Sequence, residues 1–295
     1  MAVQQLKELQ FVQYKRFSGN ENLEIKPVTI LVGKNSSGKS SITKLMPVLA
    51  KSVSGDLKKS IMLLDTDGVS LGVSYQSLCH NGNTVGLGFG MKYANDVEIF
   101  VDLIANHKDE IQISRYVVQK AGTKHELRLA SDRVNYICNE NDKEYLASEF
   151  SGFIHKAFLQ DIGVDLDLAV NIDYIGPLRC EPSRTYYYTG SELSDKVEAR
   201  GDNAYQLLCA DDELVHKVSD WFEQNFNGCR LQVVSGGERG SYIIKMNKPD
   251  NGDYWVNIAD EGMGMSQVLP IVVRSIHSVD NSIVVVEQPE LHLHP

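Results

Sequence analysis

The sequence predicts an α/β fold, and three features lead to this prediction. A glycine-rich loop at residues 33–40 stands between an apolar, β-branched run at residues 28–32 and a helical pattern. Residues 69–146 alternate between apolar and polar types with frequent turn residues, which predicts an antiparallel β meander. Helical sequence dominates from about residue 151 to residue 226, so we expect a helical insertion after the meander.

The N-terminal elements lead into and out of the glycine-rich loop. Residues 9–14 and 28–32 predict strands, because both runs are rich in apolar and β-branched residues. The helix after the loop repeats apolar residues at helical spacing, at Ile42, Leu45, Met46, Leu49 and Val53. Pro47 lies inside this pattern and should kink or shorten the helix, because proline cannot donate a backbone hydrogen bond.

Turn and cap residues divide the rest of the chain. Asn81 and Gly82 predict a hairpin turn. Asp211 and Asp212 begin a helix that Asn227 and Gly228 end. The other predicted elements are strands at residues 97–104 and 111–118, a hairpin with its turn near residues 250–253, a helix at residues 267–279 and a final apolar strand at residues 283–286.

The composition is that of an ordinary globular protein. Hydrophobic residues make up 42% and charged residues 23% of the 295-residue chain. No run approaches the roughly 20 apolar residues of a membrane span, and residues 1–10 lack the layout of a signal peptide. We therefore expect a soluble, cytoplasmic protein. The net charge of −10 indicates no bulk attraction to nucleic acid, although a local basic patch stays compatible with it.

The cysteines indicate neither a disulfide framework nor a zinc site. The chain has five cysteines, which are widely spaced and form no C-x-x-C pair. We expect reduced thiols that are packed in the interior.

The glycine-rich loop matches the phosphate-loop pattern G-x-x-x-x-G-K-[ST] in full. Its glycines let the backbone curl so that N–H groups converge on phosphate oxygens, and the following helix directs its positive end to the same anion. Lys39 should reach the β and γ phosphates, and the Ser40 hydroxyl should bind Mg²⁺. The sequence therefore predicts a site for ATP and Mg²⁺ formed by Gly33, Lys34, Asn35, Ser36, Ser37, Gly38, Lys39, Ser40 and Ser41.

An acidic residue at the end of the last strand is a candidate partner for this loop. Glu287 follows the apolar run at residues 283–286, which suits a central parallel strand. Sheets of the α/β class bind their ligands at the carboxyl ends of such strands. We therefore expect Glu287 to hold Mg²⁺ together with Ser40.

Several blocks of the sequence resemble one family. The block EQPELHLHP at residues 287–295 resembles the Walker B and D-loop region of the SMC/RecF/OLD-like ABC-type ATPases, above all the predicted AAA-family ATPases of bacterial anti-phage defence systems. The blocks YIGPLR at residues 174–179 and GMGMSQVLP at residues 262–270 resemble two further blocks of that family, and residues 33–40 resemble its Walker A motif. The resemblance implies an ABC-ATPase-type head with a P-loop NTPase fold.

The resemblance also implies a domain organisation, with one head over residues 1–295. Its parts are a Walker A lobe at residues 1–60, a β-rich segment at 61–150, a helical subdomain at 151–230, and a signature and Walker B segment at 231–295. Such heads continue beyond Walker B with a helix, a strand and a switch histidine. None of these follows Pro295, so we expect a head that is incomplete at its C-terminus.

Two segments are candidates for the signature loop that such a head offers to its partner's ATP. The first is Ser235 to Glu238, and the second comprises Gly264, Ser266 and Gln267. The signature helix should lead into the Walker B strand about 20 residues later, and Gln267 lies 287 − 267 = 20 residues before Glu287. We therefore favour the second segment, with Ser266 as the N-cap of its helix, and expect the first to be a hairpin turn.

The resemblance assigns the residues that act on water. It puts Glu287 in the metal position and Gln288 where such ATPases usually carry a catalytic glutamate. Glutamine cannot take a proton, although it can orient water, and Glu290 is the nearest replacement base. The predicted catalytic residues are therefore Lys39, Glu287, Gln288 and Glu290, with slow hydrolysis as one expectation.

Other side chains have weaker assignments. By resemblance, Arg179 lies near the nucleotide, as do Tyr14, Arg16 and Phe17. His294 should face the partner head, whereas a metal role for His292 and His294 is the alternative. The tyrosines at residues 186–188 either pack in the protein or stack on bases.

Two functions follow from the resemblance. The first is an ATPase whose heads form a homodimer or higher oligomer around ATP and control an effector, a nuclease or toxin, in anti-phage defence. The second is an ATP-occupied scaffold or DNA clamp with little hydrolysis, which Gln288 favours and which leaves nucleic acid open as a partner. A P-loop kinase is the weakest alternative, because it would leave the signature block unexplained.

Overall fold

The computed structural model describes residues 5–57, 61–106, 108–165, 167–188, 190, 193–277 and 280–291. The chain divides into two compact units, Met1–Ile172 and Asp173–Pro295. Among the described residues, no helix combines the length and apolar character that crossing a bilayer requires.

The first unit is built on one large antiparallel sheet. Its eight strands have the order β10-β9-β8-β7-β6-β5-β1-β2, and the predicted meander forms the run from β5 to β10. The elements of this unit are β1 (Leu6–Tyr14), β2 (Phe17–Glu24), α1 (Lys39–Ser52), β3 (Asp65–Thr66), β4 (Val69–Ser70), α2 (Tyr75–Leu78), β5 (Gly88–Tyr93), β6 (Val97–Ala105), β7 (Ile111–Lys120), β8 (Thr123–Leu129), β9 (Asn135–Cys138), β10 (Glu144–Leu146), β11 (Phe150–Ser151), β12 (Ile154–His155) and α3 (Lys156–Asp161).

One face of this sheet forms the core of the first unit. Every second residue of β6 is buried, as its period-2 pattern requires. Aromatic rings pack edge-to-face below the sheet, with Tyr116 against Phe150 and Phe158 at centroid distances of 5.2 and 5.9 Å. On the opposite face Phe100 covers Gly88 and Gly90, where an added Cβ would lie 2.8 Å from the ring in each case.

The same opposite face carries a compact charge cluster around Glu126. This carboxylate is 7% exposed and contacts Arg115, Lys124 and Arg128 at 3.1, 3.1 and 2.6 Å. Burial raises the pKa of Glu126, but the hydrogen bonds from these three cations outweigh it and lower the pKa to about 2.

The prediction of a strand at residues 28–32 is wrong. None of the described strands pairs with this segment, and the side chains of Val28, Ile30 and Val32 are exposed. The backbone turns just before it, where the Thr29 hydroxyl accepts a hydrogen bond from the Lys26 N–H at 3.1 Å. The apolar pattern was sound evidence for β propensity, but a strand also needs a neighbour for its backbone groups.

The helix after the glycine-rich loop forms as α1 and continues through Pro47 to Ser52. Proline therefore does not shorten it. The apolar side chains of Leu45, Met46 and Leu49 are buried on one face, and this burial outweighs the single backbone hydrogen bond that Pro47 cannot donate.

Asn81 and Gly82 adopt the left-handed backbone that their sequence predicts, with φ of 51° and 70°. They do not join two strands of a hairpin, however. They follow α2 in a short 3₁₀ turn, because the preceding residues form that helix with Ser74 as its N-cap.

The second unit combines a small antiparallel sheet, three helices and a separate strand pair. Strand β16 pairs with β14, β15 and β17, while β13 pairs with β18. The helical insertion predicted over residues 151–226 is therefore only partly helical. The elements are β13 (Asn171–Ile175), β14 (Tyr186–Tyr187), α4 (Asp202–Ala210), α5 (Asp212–Asn225), β15 (Arg230–Ser235), β16 (Ser241–Asn247), β17 (Val256–Asn257), α6 (Met263–Ile276) and β18 (Ser282–Val286).

Helices α4, α5 and α6 share one core with the small sheet, in which Phe222, Ile244 and Leu269 are fully buried. The predicted caps of α5 are confirmed. The Asp211 side chain accepts a hydrogen bond from the Leu214 N–H at 3.0 Å, and Asn227 and Gly228 leave the helix in left-handed conformation.

Three smaller predictions are also confirmed. The segment from Ser235 to Glu238 lies in the turn of the β15–β16 hairpin, and β17 returns to β16 as the expected second hairpin. Of the tyrosines at residues 186–188, Tyr186 packs in the core, stacked on Tyr205 at a centroid distance of 5.0 Å, whereas Tyr187 is exposed. All five cysteines are buried free thiols.

Candidate functional site

The glycine-rich loop contains two residues in the left-handed backbone conformation. Ser36 and Gly38 are left-handed, with φ of 61° and 102°, and α1 begins at the next residue, Lys39. A Cβ on Gly38 would lie 2.7 Å from the Phe17 ring, and one on Gly33 would lie 2.9 Å from the Ser37 hydroxyl. Both glycines are therefore required for the turn that aims the start of α1 at the loop.

Lys39 lies folded over the loop. Its Nζ donates hydrogen bonds to the carbonyl oxygens of Gly33 at 2.7 Å and Lys34 at 3.0 Å. The ammonium group is thus held on the concave side of the loop, where a phosphate could replace the two carbonyls as its partner. Ser40 is exposed beside it and Ser41 is half-buried, while Asn35, Ser36 and Ser37 are exposed.

Residues of β1, of β2 and of the turn between them support the loop. Arg16 donates a hydrogen bond to the Ser36 carbonyl at 2.7 Å, and the Tyr14 hydroxyl donates one to the Ser41 carbonyl at 3.0 Å. The Phe17 ring lies under Gly38. Tyr14 is fully buried, so its role is to hold the start of α1 rather than to meet a ligand.

The loop fits a polyphosphate by its donor set. The first backbone N–H groups of a helix have no acceptor within the helix, and they carry the positive end of the helix dipole. The first turn of α1 contains no acidic residue that would oppose an anion. Together with Lys39, this gives an anion-binding loop at the N-terminus of a 14-residue helix.

Glu287 lies at the end of the paired strands of the second unit. It follows β18 directly, and its backbone N–H donates to the Ile175 carbonyl of β13 at 2.9 Å. Its side chain lies close to Tyr174, where burial and the Glu287 carboxylate both raise the pKa of the tyrosine hydroxyl. The predicted final strand is confirmed, although it is half-buried rather than fully buried.

Arg179 is buried beside this turn. Its Nη2 donates hydrogen bonds to the carbonyls of Glu287 at 2.7 Å and Gln288 at 3.3 Å. Its Nε and Nη1 are buried without a hydrogen-bond partner among the described residues. Burial lowers the pKa of the guanidinium, against an opposing effect of Glu290. Two donors are therefore left for a ligand or water.

The residue after Glu287 has a strained backbone. Gln288 is left-handed, with φ of 46°, and its carbonyl accepts a hydrogen bond from the Leu291 N–H at 3.1 Å. Gln288 and Glu290 are both exposed. Non-glycine residues rarely adopt this conformation unless their surroundings impose it, and Arg179 supplies such a restraint.

The prediction that Ser266 caps its helix is wrong. Helix α6 begins at Met263 after an extended Gly262, and Ser266 and Gln267 are only 2% and 3% exposed. Pro270 therefore lies in the second turn and cannot donate to the Ser266 carbonyl. The Tyr205 hydroxyl donates to that carbonyl instead, at 3.4 Å. Gly264, in the first turn, is half-buried.

The predicted site residues fall in both units. Arg16 and the loop belong to the first unit, whereas Arg179, Gly264, Ser266, Gln267, Glu287, Gln288 and Glu290 belong to the second. His292 and His294 lie outside the described residues. Among the described residues, no three His, Cys, Asp or Glu side chains gather as a metal site. The Ser40 hydroxyl and the Glu287 carboxylate each offer the oxygen ligands that Mg²⁺ prefers.

Two features of the second unit are not among those predicted from the sequence. One is Tyr174 beside Glu287. The other is a buried ion pair between Asp173 and Arg274. A charged residue inside the apolar run of β13 was the signal for the second, because such a residue is buried only when it is paired.

Comparisons with known proteins agree with these observations. The model of the family described as "AAA domain, putative AbiEii toxin, Type IV TA system" matches residues 28–295. The comparison with curated protein sequences found no match.

The solved structures similar to the chain include two SMC head domains. One is the SMC head domain from Thermotoga maritima, with 12% identity, a TM-score of 0.36, and coverage of 92% of this chain and 72% of that one. The other is the Smc head domain with an extended coiled coil, bound to the C-terminal domain of ScpA, from Pyrococcus furiosus. It has 11% identity, a TM-score of 0.45, and coverage of 99% and 83%.

The family match spans the phosphate loop, the strand that ends at Glu287 and everything between them, which is most of the chain. The chain therefore belongs to this AAA-domain family, and it is an ATPase-type domain with a mixed α/β fold.

Proposed function

We propose that the protein binds ATP with Mg²⁺ at residues 33–41 and hydrolyses it slowly as a switch. The observation that carries the proposal is the glycine-dependent turn that directs Lys39 and the start of α1 into one loop. In this arrangement the backbone N–H groups and Lys39 hold the β and γ phosphates. The Ser40 hydroxyl and the Glu287 carboxylate hold the metal, which neutralises charge on the phosphates.

The residues after Glu287 act on the attacking water. Gln288 orients the water through its side-chain amide, and Glu290 accepts a proton from it. Arg179 holds the backbone of this turn and directs its two remaining donors to a phosphate oxygen. The left-handed backbone of Gln288 and the hydrogen bonds of Arg179 support this reading.

ATP also joins two heads in this proposal. The first turn of α6, with Gly264, faces the γ-phosphate that is held by Lys39 of a second copy. Since Ser266 and Gln267 are buried, they act by holding this turn, and the contact is made by its backbone. The assembly is thus a homodimer or a higher oligomer of the same pairing.

The oligomer controls an effector protein, a nuclease or toxin, in defence against phage. The toxin–antitoxin description of the family supports this direction. Nucleic acid is a further ligand open to the assembly. Survival of phage-challenged cells that carry the chain and its genomic neighbours, with and without Lys39→Ala, tests this role. Equal survival would contradict it.

The first test of the proposal is nucleotide binding. Lys39→Ala should abolish binding of Mg-ATP, measured by isothermal titration calorimetry, because the loop loses the ammonium group that lies over its carbonyls. The matched control is Lys44→Ala, which removes a lysine from the same helix outside the loop and should bind ATP like the wild type. Unchanged affinity in Lys39→Ala would overturn the proposal.

A scaffold with little hydrolysis is the second candidate, and Gln288 favours it. Single-turnover rates separate the two functions. In a switch, Glu290→Gln should slow hydrolysis, and Gln288→Glu should speed it. In a scaffold, the wild type binds ATP without measurable turnover. A fast wild type that Glu290→Gln leaves unchanged would contradict both assignments of the water-activating residues.

A further inference from the structure

We propose that the buried ion pair between Asp173 and Arg274 is a positioning device for the nucleotide site. It ties α6, which serves the partner's ATP, to β13, the strand next to the one that ends at Glu287. This inference rests on the proposed function, and it assigns roles to two residues that no motif of the sequence contains.

The pair joins three segments of the second unit. Arg274 Nε donates to Asp173 Oδ2 at 2.7 Å, and Arg274 Nη1 donates to the His277 carbonyl at 2.7 Å. The same Asp173 oxygen accepts the Val197 N–H at 2.8 Å. Both charged side chains are excluded from water, at 1% and 0% exposure. The end of α6, strand β13 and the segment around Val197 are thereby fixed to one point.

The strand that holds Asp173 also holds the acidic turn. Two residues after Asp173, the Ile175 carbonyl accepts the Glu287 N–H at 2.9 Å. Tyr174, between them, lies close to the Glu287 carboxylate. The pair therefore fixes α6 to the same strand that carries the backbone partner of Glu287.

The other end of α6 is held by close packing. Gly201, left-handed with φ of 74°, lies against Pro270, where an added Cβ would come within 2.6 Å of the proline ring. The Tyr205 hydroxyl holds the Ser266 carbonyl. These contacts hold the first half of α6, and the Arg274 fork holds its last turn.

Stability alone does not explain a charged pair at this position. Buried ion pairs pay a large desolvation cost, and apolar residues of similar size often stabilise a protein equally well. A guanidinium group imposes a fixed orientation on its partners, because its N–H donors are rigidly arranged in one plane. The pair therefore fixes where α6 lies.

The test uses the double variant Asp173→Asn/Arg274→Met, which removes both charges and keeps an acceptor for the Val197 N–H. We expect a melting temperature close to that of the wild type and Mg-ATP affinity within about twofold, since the loop is untouched. Turnover should fall on the order of tenfold or more, because misplacement of a site group by about 1 Å can cost that much. Wild-type turnover in this variant would overturn the inference.

Mixing the double variant with Lys39→Ala separates an effect on the position of α6 from a general loss of folding. Lys39→Ala lacks the Lys39 ammonium group but has an intact α6. The double variant keeps Lys39 but lacks the pair that positions α6. A mixed dimer then contains one complete site. Because half of randomly formed dimers are mixed, turnover should return to about a quarter of the wild-type value. A mixture that stays as inactive as its components would overturn the inference.

The control mixture is Gly264→Asp with Lys39→Ala. Gly264→Asp puts a negative charge in the first turn of α6, so this mixture should recover equally. If turnover recovers in the control mixture but not in the mixture with the double variant, the inference is wrong, whereas the shared site of the proposed function stands. If neither recovers, the shared site of the proposed function falls, and the inference falls with it. Should the double variant not fold, Arg274→Lys, which keeps the charge but loses the fork, replaces it in the same mixture.

Discussion

The phosphate loop and helix α6 serve one proposed site but are held in opposite ways. The loop is exposed, and its shape depends on glycines and on a few hydrogen bonds to backbone carbonyls. Helix α6 is held by the buried pair of Asp173 and Arg274 and by close packing against α4. The loop is thus specified by backbone conformation, and α6 by buried side chains.

This difference teaches where each kind of mutation should act. Changes in the loop should reduce ligand binding and leave folding nearly intact, because little surface is buried there. Changes that leave one charge of the buried pair at α6 without its partner should reduce stability and activity together, because the remaining charge stays buried in the core. The following predictions test that distinction.

The largest effect is expected from Asp173→Ala. It leaves the Arg274 charge buried without its partner, so the free energy of unfolding should fall by about 3–5 kcal/mol. Chemical denaturation measures this loss. The control is Asp260→Ala, which breaks an exposed pair with Arg184 just before α6 and should hardly change stability. Similar small losses in both variants would break the comparison.

Gly38→Ala should act on the ligand rather than on the fold. The left-handed backbone and the contact with Phe17 cost about 1–3 kcal/mol, which the exposed loop relieves by changing shape. Mg-ATP affinity should then fall on the order of tenfold to a hundredfold. Gly55→Ala has a similar positive φ, 76°, but no atom within 4 Å, and it should bind ATP normally. Normal affinity in Gly38→Ala would contradict the account of the loop.

Glu126→Gln tests whether a buried charge also contributes to the free energy of unfolding in the first unit, which holds the phosphate loop. Unfolding free energy at neutral pH should fall by about 1–3 kcal/mol, because Arg115, Lys124 and Arg128 lose their common partner. Since the folded pKa of about 2 lies below the ordinary value of 4.5, this contribution is complete above 4.5. It is lost as the pH falls from 4.5 towards 2.

Urea denaturation of wild type and variant across that range measures the loss. The two stabilities should converge as the pH falls. Glu223→Gln, an exposed change on α5, is the control and should differ little from the wild type at any pH. A constant difference between Glu126→Gln and wild type would be the contrary outcome.

The smallest effect is expected from Arg16→Ala. The exposed Arg16 makes one hydrogen bond to the loop carbonyl of Ser36, so its removal should weaken Mg-ATP binding only about two- to threefold. Calorimetry measures the change. A loss as large as that of Gly38→Ala would mean that Arg16 contacts the nucleotide directly.

The sequence predicted the parts of this molecule that depend on local chemistry. The phosphate loop, the meander and the capped helix α5 follow from glycine, alternation and Asp211, which act within a few residues. It failed where partners distant in the chain decide. Residues 28–32 pair with none of the described strands despite their β propensity. Helix α6 begins early because Tyr205, 61 positions away, satisfies the carbonyl that Pro270 leaves open.

The candidate site divides along the same line. The loop residues could be assigned from their pattern alone, because each acts through its own backbone or side chain. The pairing of Asp173 with Arg274 joins residues 101 positions apart, and no local pattern identifies Arg274 as the partner. The left-handed backbone of Gln288 was equally hidden, since the restraint from Arg179 comes from a distant segment of the chain, after β13.

The central claim is that Lys39, Ser40 and Glu287 meet at one magnesium-bound triphosphate. The most direct test is a structure of the protein with Mg²⁺ and a non-hydrolysable ATP analogue. We predict that Lys39 Nζ exchanges the Gly33 and Lys34 carbonyls for β and γ phosphate oxygens. The metal should lie about 2.1 Å from Ser40 Oγ, with Glu287 bound directly or through water. A triphosphate away from the start of α1, or a metal site without Ser40 and Glu287, would contradict the claim.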